Sequence, residues 1–103
     1  MSSNTKNPAA AIKESDVRRY FYARATANCC RAEKFNSPSN RDVPDELVTA
    51  PWGIMALVEL KRPGGKLRPG QVRDHAARAK LGVNVYVIDS YASVDSFFRM
   101  IAQ

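Results

Sequence analysis

At 103 residues the chain has room for one folding unit with a single core, which leaves one scaffold to carry one site. Sixteen Lys and Arg against ten Asp and Glu give a net charge of +6 and favour a polyanionic partner, nucleic acid first, although a solvated basic surface would give the same balance. The longest apolar run, Ile54 to Val58, is far short of the roughly 20 residues that span a bilayer, and no charged-then-apolar leader opens the chain; an intracellular, soluble protein is the expectation.

Residues 1–12 read as a polar leader with little to bury, and 13–103 as the single domain. Asn7-Pro8 has the form of an N-cap followed by proline at the first helical position, opening a helix that runs to about Ala27. Val17, Phe21 and Ala25 share one face of it, with Glu14 one turn earlier on the same face. The adjacent Cys29 and Cys30 suit neither a mutual disulfide nor paired zinc ligands, and read as reduced thiols in or near the core. "NCCRAEKF" is a strand, "NSPSNR" a loop, and "DELVT" and "IMALVELK" two further strands. The connection "RPGGKLRPG" carries three positive charges and leads into the helix "QVRDHAARAKLG", started by Pro69 and stopped by Gly82. "VNVYVID" is a β-branched strand expected to be buried, and "SVDSFFRMIAQ" a last helix capped by Ser93. The order α-β-β-β-α-β-α predicts an α/β sandwich around a mixed sheet.

The turn "APWG" sets the hairpin register. Pro51 suits the second position of a type I turn and Gly53 the left-handed residue after it, closing a three-residue loop. Ala50 then faces Ile54, Thr49 faces Met55, Leu47 faces Leu57 and Asp45 faces Glu59, with Lys61 two residues on along the same face. Two carboxylates side by side repel unless a proton or a cation joins them, and Mg²⁺ or Mn²⁺ prefers carboxylate, carbonyl and water oxygen. The Leu60 carbonyl would add a ligand, and so would Glu14 if the first helix packs over this end of the sheet. Lys61 would then serve a phosphate beside the metal. Arg62, Lys66, Arg68 and Arg73 continue from the same strand as a DNA-contacting edge, or else as a solvated loop. Plainer readings stand beside these: an exposed Glu59–Lys61 ion pair, a surface acid at Glu14, and a surface histidine at His75, the only one in the chain.

Val43-Pro44-Asp45 followed by Val58-Glu59-Leu60-Lys61 resembles the PD-(D/E)xK nuclease signature, and its neighbours resemble the VRR-Nuc branch of that superfamily. Those neighbours are Glu14 in the first helix, Lys34 before the loop, "RPGGKLRPGQ" with Gln71, and the closing "GVNVYVIDSYASVDSFF"; the likeness spans Lys13 to Ile101. It implies a restriction-endonuclease-like fold and a Mg²⁺- or Mn²⁺-dependent DNA endonuclease. Asp45, Glu59, Lys61 and Gln71 would be catalytic, Glu14, Asp45, Glu59 and Leu60 would hold metal, and Lys34 and Arg41 would join the DNA contacts. Stand-alone members of this size suggest homodimers, often phage-encoded, that cut four-way junctions in the cytoplasm of a bacterial or phage-infected cell. One departure stands out: Asp42 occupies the place of a family glycine before Pro-Asp, and reads as a loop residue facing water. A flap nuclease and a non-cleaving branched-DNA binder are the alternative functions. A dimer surface is expected in "SYASVDSFFRMI", at Tyr91, Phe97, Phe98 and Met100, unless these serve the core.

Overall fold

The helical stripe of Val17, Phe21 and Ala25 organises the molecule, because these three side chains are buried and everything else on one side of the sheet packs around them. The computed structural model describes residues 11–102. Along the chain run α1 (Glu14–Ala27), β1 (Arg31–Lys34), β2 (Glu46–Ala50), β3 (Ile54–Leu60), α2 (Pro69–Lys80), β4 (Val85–Ile88) and α3 (Tyr91–Ile101). The strands form one sheet in the order β1-β2-β3-β4, antiparallel except for the parallel pair β3-β4, so the sheet is mixed. Among the described residues, no helix is long and apolar enough to cross a membrane.

Strand alternation sends Val48, Ala50, Ala56, Val58, Leu60 and Ile88 to the face covered by α1 and α3. Phe21 stacks there against Phe97 and Phe98, with ring centroids 6.2 and 5.4 Å away. Burial of about 1.5–3 kcal/mol per large apolar side chain, not intrinsic propensity, therefore holds both helices to the sheet. Phe97 and Phe98 are core residues for this reason, which removes them from any dimer surface; Tyr91 and Met100 stay exposed.

Several local expectations are corrected. The Asn7-Pro8 helix start lies outside the described residues, and α1 opens at Glu14 after an extended Lys13, whose backbone N–H donates to Asp16 Oδ2 at 2.9 Å. Ser90, not Ser93, caps α3: Ser90 Oγ accepts from the Ser93 N–H and Ser93 Oγ accepts from the Ser90 N–H, both at 3.0 Å. Cys30 is buried but Cys29 is exposed, at φ 58° just past the end of α1. The hairpin loop has three residues as expected, yet Trp52 (φ 71°) and Gly53 (φ 76°) are both left-handed, so no type I turn forms. β4 is an edge strand and not a buried one, with Val87 45 % exposed, because α2 covers only one end of the second sheet face. The rest of that face is an open hollow of about 440 Å³ lined by Leu47, Met55, Leu57 and Val83.

Candidate active site

The register is Ala50 to Ile54, Thr49 to Met55, Leu47 to Leu57 and Glu46 to Val58, and one step further puts Asp45 opposite Glu59. The Leu60 backbone N–H donates to Asp45 Oδ2 at 2.9 Å, and the Asp45 carbonyl accepts from the Phe35 N–H at 2.9 Å, so this aspartate is gripped from both neighbouring strands. Lys61 extends the parallel ladder by donating its N–H to the Ile88 carbonyl at 2.9 Å. Its ammonium lies 3.9 Å from Glu59 Oε2. Asp45, Glu59, Leu60 and Lys61 are thus together at one end of the sheet.

Helix α2 closes the site from the side opposite α1. Proline at its first turn places Gln71 at the third helical position, where Oε1 accepts the Arg68 N–H at 2.9 Å and caps the helix. The same Oε1 accepts from Lys61 Nζ at 3.0 Å, while Nε2 donates to Glu59 Oε2 at 2.9 Å. One buried amide therefore orients both the acid and the base. His75, one turn on, brings Nε2 to 3.5 Å from Glu59 Oε1. It is a partly buried neighbour of the site, which corrects its reading as a surface histidine, and burial pushes its pKa down.

Glu59 is only 1 % exposed, and burial, with the Asp45 carboxylate beside it, pushes its pKa up to about 8, against the opposing pull of Lys61 and Arg68. The exposed-ion-pair reading fails on this burial. Glu59 Oε1 has no hydrogen-bond partner, and an orphaned buried carboxylate oxygen beside a second carboxylate suits a hard cation. Among the described residues, however, no three His, Cys, Asp or Glu side chains already form a cage.

The reason lies on α1. Glu14 does reach this end of the sheet, but Arg18, one turn along, holds its Oε2 at 3.1 Å. The same guanidinium is 3.7 Å from Asp45 Oδ2 and 3.6 Å from Glu46 Oε2. Glu46 is fully buried on the core face and accepts a hydrogen bond from the Tyr22 hydroxyl. Burial and this carboxylate push the tyrosine up to about 12, so the phenol remains a donor. Sequence reasoning passed over Arg18, Tyr22 and Glu46; the one available signal was the i, i+4 spacing of Glu14 and Arg18.

The basic residues divide into groups. Lys34 and Arg41 line a cleft of about 290 Å³ whose floor includes Asp45, Glu46 and Arg18. Arg62, Lys66 and Arg73 are exposed on the connection and on α2. Arg68 is exposed too, but pairs with Asp42 Oδ1 at 3.4 Å. Asp42 is not a loop residue facing water: its side chain is only 25 % exposed and lies against Gly70, where an added Cβ would come within 2.3 Å of Oδ2. Asn40 donates to Asp74 at 3.0 Å beside it, so the loop before Asp45 is fastened to α2 at two points.

A four-stranded mixed sheet with paired carboxylates and a lysine at one end defines an α/β protein of the nuclease type described above. No family model matches the chain. It is 40 % identical over 79 residues to a protein of Acyrthosiphon pisum secondary endosymbiont phage 1 named "Putative nuclease p44", covering 77 % of this chain and 85 % of that one. It is also similar to a solved structure described as a VRR_NUC domain, with a TM-score of 0.78 and 32 % identity over 85 % of this chain and 96 % of the other. The chain belongs to the VRR-Nuc family.

Proposed function

We propose that the protein is a divalent-metal-dependent DNA endonuclease that hydrolyses phosphodiester bonds in branched DNA, with four-way junctions as its substrate and a homodimer as its working form. The observation that carries the reading is the Asp45–Glu59–Lys61–Gln71 constellation: buried Gln71 is bonded to both Glu59 and Lys61, and Asp45 beside them lines a cleft that Lys34 and Arg41 also line. The similarity to a phage protein named as a nuclease and to a VRR_NUC domain supports it.

Asp45, Glu59 and the Leu60 carbonyl would hold Mg²⁺ or Mn²⁺, and Glu14 would join them once freed from Arg18. The cation, when bound, lowers the pKa of water and polarises a phosphoryl oxygen. Lys61, tethered through Gln71, presents its ammonium to the scissile phosphate, where it orients the nucleophile and offsets charge developing on the oxygens. Gln71 keeps Lys61 and Glu59 from collapsing into a closed ion pair, since it occupies both at once. A binder without catalysis would gain nothing from two carboxylates beside phosphate, because they repel it. Lys34, Arg41, Arg62, Lys66, Arg68 and Arg73 supply the DNA contacts. The exposed apolar side chains Met55, Val83 and Val87 on the open sheet face offer a surface for self-association, and two-fold substrate symmetry is most simply met by two copies.

Labelled four-way junction, flap, duplex and single-stranded DNA, each incubated with Mg²⁺, Mn²⁺ or chelator, test the proposal. Paired, metal-dependent incisions in the junction are expected. Cleavage of flaps alone would replace the junction by a single-branch substrate, and cleavage in chelator would sink the metal mechanism.

A further inference from the structure

Two buried polar atoms that face each other without bonding lie beside the site: Arg18 Nε and Glu46 Oε2, 3.6 Å apart, neither with a hydrogen-bond partner. Leaving such atoms unpaired costs about 1–3 kcal/mol each, and a shift of a few tenths of an ångström would join them. What holds Arg18 back is its other end. Nη2 is spent on Glu14 Oε2 at 3.1 Å and on Asp45 Oδ2 at 3.7 Å. One cation thus serves three carboxylates, two in the reaction site and one, Glu46, behind it. Glu46 cannot follow Arg18 outward, because it is fully buried and fixed by the Tyr22 hydroxyl.

We infer that Arg18 is a positioning residue with two stations: it neutralises Glu14 and Asp45 when no metal is present, and withdraws onto Glu46 when a metal takes those carboxylates. This rests on the metal-dependent reading above. Arg18 and the metal compete for the same oxygens, so the resting protein tolerates its acidic cluster without a cation, and loading is linked to the Arg18–Glu46 pair. Glu46 is then the acceptor that makes the release of Glu14 possible, since a guanidinium left without a partner in this half-buried place would be costly.

Mn²⁺ titration of the DNA-free protein by calorimetry, with circular dichroism to verify folding, tests the inference without any turnover. Arg18→Gln removes the competing cation and should bind Mn²⁺ about two- to five-fold more tightly than wild type, the range of one partly exposed ion pair. Arg18→Lys keeps the charge and should return the affinity toward wild type. Glu46→Gln removes the second station and should weaken Mn²⁺ binding by a similar factor. Arg19→Gln makes the same charge change on the exposed side of α1 and should leave affinity unaltered. A purely structural role for Arg18 predicts weaker binding in Arg18→Gln, because Asp45 would lose its support; that result, or equal shifts in Arg18→Gln and Arg19→Gln, overturns the inference. If Arg18→Gln does not fold, unchanged affinity in Glu46→Gln overturns it as well. Wild-type protein that binds no Mn²⁺ overturns both this inference and the metal-dependent reading, whereas normal wild-type binding with unaltered variants overturns this one alone.

Discussion

The side-chain amide of Gln71 donates to Glu59 Oε2 at 2.9 Å while its oxygen accepts from Lys61 at 3.0 Å, so a residue at a helix N-terminus governs the geometry of one residue in β3 and of another just past its end. Gln71→Leu conserves volume but leaves a buried carboxyl and an ammonium without their partner. A stability loss of about 1–3 kcal/mol is expected in thermal melts. If the proposed catalysis holds, turnover should fall about 10²-fold with DNA affinity nearly unchanged. A variant as active as wild type would make Gln71 a helix cap and no more.

Asp45→Asn and Glu59→Gln should abolish metal-dependent cleavage while preserving the fold and most DNA binding. Lys61→Ala should lower turnover by about 10² to 10³ with little change in affinity. An equal loss of binding and turnover in Lys61→Ala would reduce it to a phosphate anchor.

The pH dependence of stability has a definite sign. Glu59 is raised from 4.5 to about 8 in the folded protein, which therefore holds this proton more tightly than the unfolded chain does. Its contribution is full below pH 4.5 and drains away as pH rises through about 8. In chelator, the melting temperature of wild type should fall across that window relative to Glu59→Gln, leaving the variant the more stable of the two on the alkaline side. Melting curves that stay parallel from acid to alkaline pH would show that Glu59 does not carry the buried proton.

Among the basic residues, Lys66 and Arg68 should behave differently. Lys66→Ala should flatten the salt dependence of DNA binding by a slope of about one without altering the melting temperature. Arg68→Ala should do the same and also lower the melting temperature, because it abandons Asp42. Identical melting behaviour would mean that the Arg68–Asp42 pair is not formed in solution.

Gly70 presses on the same carboxylate. Gly70→Ala would put a methyl 2.3 Å from Asp42 Oδ2, so the expected gain of up to about 1 kcal/mol from replacing a helical glycine should be cancelled or reversed. Gly70→Ala combined with Asp42→Ala should recover it. Denaturant titration of the two single variants and the pair measures the coupling.

Much of this protein was legible in its sequence because the signals are local. Val17, Phe21 and Ala25 mark their shared face by spacing alone, and the three-residue loop at Pro51–Gly53 determines which residues of β2 and β3 oppose one another. A register set at Ala50 and Ile54 reaches Asp45 and Glu59 by counting, since side chains alternate strictly along a strand. The left-handed Trp52 leaves this register intact, because loop length, not turn type, carries it. Tertiary packing decided the rest. Arg18 and Glu46 are 28 positions apart in sequence, and nothing local says that α1 will lay its arginine among Glu14, Asp45 and Glu46. Asp42 has the composition of a solvated loop residue until α2 brings Gly70 and Arg68 against it. Phe97 and Phe98 could have covered a partner until the opposing face of Phe21 claimed them. In each case the deciding energy is burial or pairing with a distant group, and it exists only once the elements have met.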